Sequence, residues 1–235
     1  MNILLVLLAA LVGYLAGSLS FTRVVSRIVA PDKDLDNVDL VVPGTDESFK
    51  VRHVGATTAS IVLGPKVGCT VGILDMLKTF VPTLLFDLAY PGQPYFLITA
   101  VFGMVGHNWS IFNHFKGGRG ISAAYGSLIV IDWVTAVLSG IGGTLIGLLA
   151  KDFFVTYLAG LLLVIPLLWL RTYDLAHLAF AILANVLFLV TLLPDLKQYL
   201  RLRRSGLVDA DLALQATPMG RGMSKMLAFL KGARK

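Results

Sequence analysis

The chain has 235 residues, of which 56% are hydrophobic and only 14% charged, with a mean hydropathy of +0.79. A soluble domain carries roughly 25% charged residues, so this composition excludes an ordinary water-soluble protein and, with apolar runs of spanning length, indicates an integral membrane protein. The net charge of +6 and pI near 9.5 do not point to nucleic acid, because much of the positive charge sits at residues 197–204 and in the tail to Lys235, as expected for flanks beside anionic lipid.

Residues 2–27 are read as a first spanning helix. The opening stretch MNILLVLLAALVGYLAG has the look of a signal peptide, but it lacks a basic start and its apolar pattern continues to Phe21. Arg23 and Arg27 mark its cytoplasmic end. Residues 31–54 form a polar loop with five aspartates, in which Leu40 to Val42 and Phe49 to Val51 pair as a small hairpin. Residues 56–65 read as a short surface or re-entrant helix closed by Gly64-Pro65. Further spans follow at 67–89, 95–113, 119–131, 134–150, 153–170 and 174–193. YPGQP (90–94) and Asp132-Trp133 make turns, and Pro194 stops the last helix. The lone Cys69 excludes an internal disulfide and reads as a small core residue.

The expected fold is an all-α membrane protein of about seven transmembrane helices, some short. It has a membrane domain over 1–195 with a polar cytoplasmic loop at 28–66, and a basic, partly helical tail over 196–235. Basic residues cluster after the first segment, before the second, between the third and fourth, and after the seventh. Seven spans with the N-terminus outside put every cluster on the cytoplasmic side of the cell membrane. That arrangement pools the polar loop, the tail and the 116–120 turn on one face.

The densest polar stretch in this oily chain is GHNWSIFNHFKGGRG, residues 106–120. Its turn, Lys116-Gly117-Gly118-Arg119-Gly120, has the makings of a phosphate cradle: glycines admit a ligand to the backbone, two cations supply charge, and a helix N-terminus follows, with Ser122 in its first turn. His107 and Asn108 lie just inside the membrane, as structural hydrogen-bond partners or as a base and its neighbour. Asp75 and Lys78, spaced i, i+3, share a helix face and read as a structural ion pair. Ser18, in Gly17-Ser18-Leu19-Ser20, offers a hydroxyl near the cytoplasmic end of the first helix. Lys50, Arg52 and His53, followed by Gly55-Ala56-Thr57-Thr58, form a second basic, hydroxyl-bearing turn. Zinc-type spacings, a GxSxG elbow and a Walker loop are all missing from the sequence, so neither metal nor nucleotide cofactor is inferred.

On these residues the chain resembles the bacterial integral-membrane glycerol-3-phosphate acyltransferases that use acyl phosphate. Their central signature, approximately GHN-[FW]-x-[IV]-F-x-x-F-K-G-G-K-G, is matched from Gly106 to Gly120 with Arg119 in place of lysine. Leu74, Asp75, Leu77 and Lys78 match L-D-x-L-K. Gly55, Ala56 and Thr57 match part of G-S-G-N-x-G-A-T-N, and Gly17 and Ser18 echo the first-helix motif. Two departures stand out: Ala123-Ala124 replace a Thr-Ser pair, and the third motif, R-H-x-x-N-I-x-R-L-x-x-G-x-E, has no counterpart in PDLKQYLRLRRSGLVD.

The resemblance implies attack by the hydroxyl of glycerol 3-phosphate on the acyl carbonyl of acyl phosphate, giving lysophosphatidic acid for phospholipid synthesis. No cofactor is implied and no obligate protein partner, only the two substrates and membrane lipids. Ser18, His107 and Asn108 take the catalytic positions. Lys116, Gly117, Gly118, Arg119, Gly120, Ser122, Lys50, Arg52 and Thr57 take the substrate phosphates. An acyltransferase with another acceptor, and a non-enzymatic anion transporter or lipid-binding relative, are the competing readings.

Overall fold

The computed structural model describes residues 1–33, 35–36, 38–41, 48–206 and 218–232. The expectations for Val42, for the tail between 207 and 217, and for 233–235 lie outside them. In chain order the elements are α1 (Ile3–Ser18), α2 (Phe21–Val29), β1 (Val38–Val41), β2 (Ser48–Val51), α3 (Ala56–Val62), α4 (Pro65–Ala89), α5 (Tyr95–Asn108), a 3₁₀ turn (Ile111–Asn113), α6 (Ile121–Ala150), α7 (Phe153–Thr172), α8 (Leu175–Arg204) and α9 (Pro218–Gly232).

Six helical segments among the described residues are long and apolar enough to cross a membrane. The fourth of these, α6, is not straight. Asp132 leaves the helical region with φ −160° and ψ 98°, and its carboxylate accepts the Thr135 N–H at 2.6 Å, restarting the helix. Ser139 Oγ lies 3.4 Å from the Tyr125 hydroxyl. In a continuous helix those residues would stand about 21 Å apart. The segment is therefore a hairpin with arms at 121–131 and 133–150, which turns six spans into seven helical arms, close to the expected number.

Both ends of that hairpin lie on one face. Arg119 stacks over the Phe154 ring, and Asp152 accepts the Tyr199 hydroxyl at 2.9 Å. The opposite face gathers Asn2 on Tyr95, the Phe96 ring against His177, and Arg171 on Asp132. Helices alternate between these faces, so the chain starts on the second and ends α8 on the first, here called the site face.

Packing follows from small residues. A Cβ on Gly17 would overlap the Gly103 backbone and one on Gly106 the Tyr14 carbonyl, so α1 and α5 approach closely. Met104, Leu128, Leu161, Leu168, Phe188 and Leu192 form the fully buried centre. Leu7, Leu85 and Leu149 are exposed on the periphery, as lipid-facing residues are.

Three expectations are corrected. The first span is broken where Leu19 turns extended, and the amphipathic α2 follows it. Pro194 does not stop the last helix: α8 runs on to Arg204. Proline removes one helical hydrogen bond, and just before it the Thr191 carbonyl accepts Nε2–H of His53 at 2.8 Å. Cys69 is exposed on α4, not in the core.

Candidate functional site

The site begins where α5 ends. Trp109 is no longer helical, and Ser110 donates its hydroxyl to the Ser18 carbonyl at 2.6 Å. Asn113 Nδ2 returns to Ser110 Oγ at 2.8 Å, and His114 and Phe115 both take positive φ. Two left-handed residues reverse the chain, and Lys116–Gly120 then runs back over the end of α5. The Gly117 carbonyl accepts the Val54 N–H at 3.1 Å, and Gly118 N–H donates to the His107 carbonyl at 3.0 Å.

This geometry corrects the reason given for the glycines. A Cβ on Gly118 would overlap the His107 imidazole, and one on Gly120, at φ +82°, would meet Asn108 Oδ1 at 2.6 Å. Glycine is required because the turn packs on His107 and Asn108. The Gly118 N–H, committed to His107, is not a donor for a ligand.

A polar hollow of about 110 Å³ opens beside the turn, lined among others by His53, Thr57, Asp75, His107, Gly118, Arg119, Gly120, Ser122 and Tyr157. Arg119 is the cation that reaches it. The guanidinium is held from behind: Nε and Nη2 both donate to Asp195 Oδ2, at 3.0 and 2.6 Å, and Cζ lies 5.7 Å from the centre of the Phe154 ring. Asp195 is completely buried. The Thr191 hydroxyl donates to the Phe188 carbonyl at 2.8 Å and lies 3.3 Å from the Arg119 carbonyl. His53 Nε2 stands 3.8 Å from Asp195 Oδ2. Burial holds the His53 imidazole below its usual pKa, Arg119 acts in the same direction and Asp195 opposes both, so the ring is neutral at pH 7.

Lys116 faces elsewhere. It lines a separate hollow of about 410 Å³ with Arg23, Arg27, Lys33 and His114. The turn thus divides its two cations between two cavities instead of closing them on one anion. Lys50 and Arg52 are exposed and line neither cavity, whereas Val51, on the inward face of β2, and His53, just past its end, line the smaller hollow. Ser18 lies in a third space of about 10 Å³, behind His107 and Gly118. Asn108 does not line the 110 Å³ hollow; its Nδ2 donates to the Leu187 carbonyl at 3.4 Å and its side chain backs Gly120. Asp75 and Lys78 pair at 2.9 Å, and Lys78 Nζ also donates to the Leu19 carbonyl at 2.6 Å, tying α4 to the end of α1.

The family model described as glycerol-3-phosphate acyltransferase matches residues 7–202. The chain belongs to that family. Glycerol-3-phosphate acyltransferase 1 of Oceanobacillus iheyensis is 29% identical over 154 residues, covering 62% of this chain and 68% of the relative. The glycerol-3-phosphate acyltransferase of Aquifex aeolicus is 32% identical over 127 residues, 54% of this chain and 59% of its own. That of Pseudothermotoga lettingae is 30% identical over 120 residues, so that this chain spans about half of its length, 54%. The fold is shared with the crystal structure of PlsY (YgiH), an integral membrane glycerol 3-phosphate acyltransferase, in its glycerol 3-phosphate form. The TM-score is 0.72 at 25% identity, covering 83% of this chain and 92% of that one.

In this member of the glycerol-3-phosphate acyltransferase family, α8 supplies groups that sequence reasoning missed. Thr191 and Asp195 reach Arg119, and Gln198 Nε2 donates to the Ser48 carbonyl of β2 at 3.2 Å. From α8 it is a carboxylate, that of Asp195, that reaches the turn. The one available signal was Asp195 itself, an acid beside the last apolar run with no cation three or four residues away to share its helix face. Tyr157, whose hydroxyl meets that of Thr57, was also missed.

Proposed function

We propose that this multi-pass membrane protein transfers a fatty acyl group from acyl phosphate to glycerol 3-phosphate, giving lysophosphatidic acid, at a site on the cytoplasmic face of the cell membrane. One observation carries the reading: the turn that matches the family signature places Arg119 in a small polar hollow with the hydroxyls of Thr57, Ser122 and Tyr157. At about 110 Å³ that hollow suits a short polyol phosphate and is too small for an acyl chain. Arg119 takes the acceptor phosphate, and the hydroxyls hold the glycerol. The larger hollow, with Lys116, Arg23 and Arg27, takes the donor phosphate. His107 lines the acceptor hollow and orients the attacking hydroxyl.

In the reaction the glycerol hydroxyl bonds to the acyl carbon, the bond from that carbon to the phosphate oxygen breaks, and the proton leaves with phosphate. Acyl phosphate is a mixed anhydride with a good leaving group. Positioning and electrostatic stabilisation therefore supply the catalysis without a covalent intermediate. The cytoplasmic assignment rests on the gathering of Arg23, Arg27, Lys116 and Arg203 on the site face.

The test is direct. Purified protein in lipid vesicles is given glycerol 3-phosphate with acyl phosphate, acyl-CoA or acylated carrier protein, and products are read by mass spectrometry. Lysophosphatidic acid from acyl phosphate alone is the expected result. Product from acyl-CoA alone reassigns the donor, and no product from a folded preparation overturns the reading.

A further inference from the structure

We propose that Asp195 is a positioning residue for the acceptor phosphate: it holds Arg119 so that the Nη1–Nη2 edge of the guanidinium faces the hollow. This rests on the acyl-transfer reading above. Asp195 does not line the hollow and so acts through residues that do: chiefly Arg119, which it bonds twice, and at longer range His53, 3.8 Å from Oδ2. Both of its bonds fall on one carboxylate oxygen, Oδ2, from Nε and Nη2. They occupy one edge of a group that has five N–H donors and leave the other edge without a protein partner among the described residues. Phe154 covers the guanidinium on one side, the Arg119 carbonyl lies 3.3 Å from the Thr191 hydroxyl, and the residue lines the hollow. Asp195 sits on α8, a rigid helix that Gln198 and Tyr199 anchor on the same face.

The competing idea is that Asp195 is a counter-ion that substrate must displace. Displacement would strand a fully buried carboxylate whose Oδ1 has no hydrogen-bond partner among the described residues. Stranding a buried charge is costly, whereas sharing the guanidinium between carboxylate and phosphate strands nothing. Asp195 thus sets the direction of a charge that Arg119 delivers.

The experiment measures KM for glycerol 3-phosphate, KM for acyl phosphate and kcat in wild type, Asp195→Asn, Arg119→Lys, Arg119→Ala and the double variant Asp195→Asn/Arg119→Ala. Asp195→Asn is expected to raise the acceptor KM about tenfold or more while kcat and the donor KM stay within about twofold. On the Arg119→Ala background the same change should move the acceptor KM by less than about twofold, because the residue through which it chiefly acts is gone. A lower acceptor KM in Asp195→Asn would make Asp195 a blocking counter-ion. An undiminished effect without Arg119 would make it structural. Either result, or no change at all, overturns the proposal.

If Asp195→Asn fails to fold, Arg119→Lys decides. A lysine spends its point charge on Asp195 and presents no second edge, so its acceptor KM should approach that of Arg119→Ala. Wild-type affinity in Arg119→Lys overturns the orientation argument. Absence of acceptor turnover in folded wild type defeats the functional reading itself, a result distinct from every variant outcome.

Discussion

Two buried ion pairs each lend one member, Asp75 or Arg119, to the hollow that His107 lines, and they are built differently. In Asp75–Lys78 both partners lie on α4 and the ammonium also takes the Leu19 carbonyl. A lysine has three donors, and two are committed to the protein in a site with almost no exposure. In Arg119–Asp195 the partners come from positions 76 residues apart, and the guanidinium keeps an unused edge beside a cavity. The difference shows how a buried charge can serve either the fold or a ligand. What decides is the number of donors left over once the protein has taken its share.

The largest effect should come from the closed pair. Lys78→Ala leaves Asp75 buried and alone, which costs about 3–5 kcal/mol. A thermal melt of the detergent-solubilised protein should show the loss, and Asp75→Leu/Lys78→Met should recover most of it, since apolar pairs replace buried ion pairs well. A Lys78→Ala protein that melts like wild type yet no longer binds glycerol 3-phosphate would erase the contrast between the pairs.

Next comes the open pair. Arg119→Lys keeps the charge and the partner, so its melting point should stay near that of wild type. Its kcat/KM should fall about 100-fold, or about 2.7 kcal/mol of transition-state binding. A fall in stability as large as that of Lys78→Ala would show that both pairs serve the fold. Lys116→Ala should do less. It is exposed in the larger hollow, so its removal should raise the donor KM by about fivefold, roughly 1 kcal/mol. The effect should shrink with added salt, because an exposed charge is screened over about 10 Å at 0.1 M. An Arg119 variant more salt-sensitive than Lys116→Ala would reverse the assignment of buried and exposed roles.

How much of this was legible beforehand depended on distance along the chain. The helices were readable from apolar runs, the β1–β2 hairpin from alternation, and the break at Asp132 from an acid inside an oily stretch. The glycine turn was readable because its packing partners, His107 and Asn108, lie within the same motif. Lys50 and Arg52 face away from both hollows, and for Lys50 the reason is visible in the sequence: on a strand, its neighbours Phe49 and Val51 take the inward face. Which way Lys116 points was not legible. It follows from the consecutive positive φ angles of His114 and Phe115; histidine tolerates that region, but phenylalanine beside it gives no such signal. Asp195 was hidden by a local rule. Proline usually ends a helix, and reading Pro194 as a stop put Asp195 beyond the last helix, away from the arginine it meets.

The smallest expected effect concerns the neighbour that links the open pair to pH. His53 donates to the Thr191 carbonyl and lies near both members of the pair, Asp195 and Arg119. Burial, then Arg119, lowers its pKa below the ordinary 6.5, against the pull of Asp195. With the folded value below the unfolded one, the unfolded chain takes up the proton first as pH falls. The stability that depends on neutral His53 is therefore complete above pH 6.5 and is lost as pH drops through 6.5 toward the lower folded value. Melts of wild type between pH 7 and pH 5 should show that decline, and His53→Gln, whose amide can still donate to Thr191, should show a shallower one. Equal slopes in the two proteins would mean that His53 keeps its ordinary pKa. The open pair would then be electrostatically separate from the strand turn beside it.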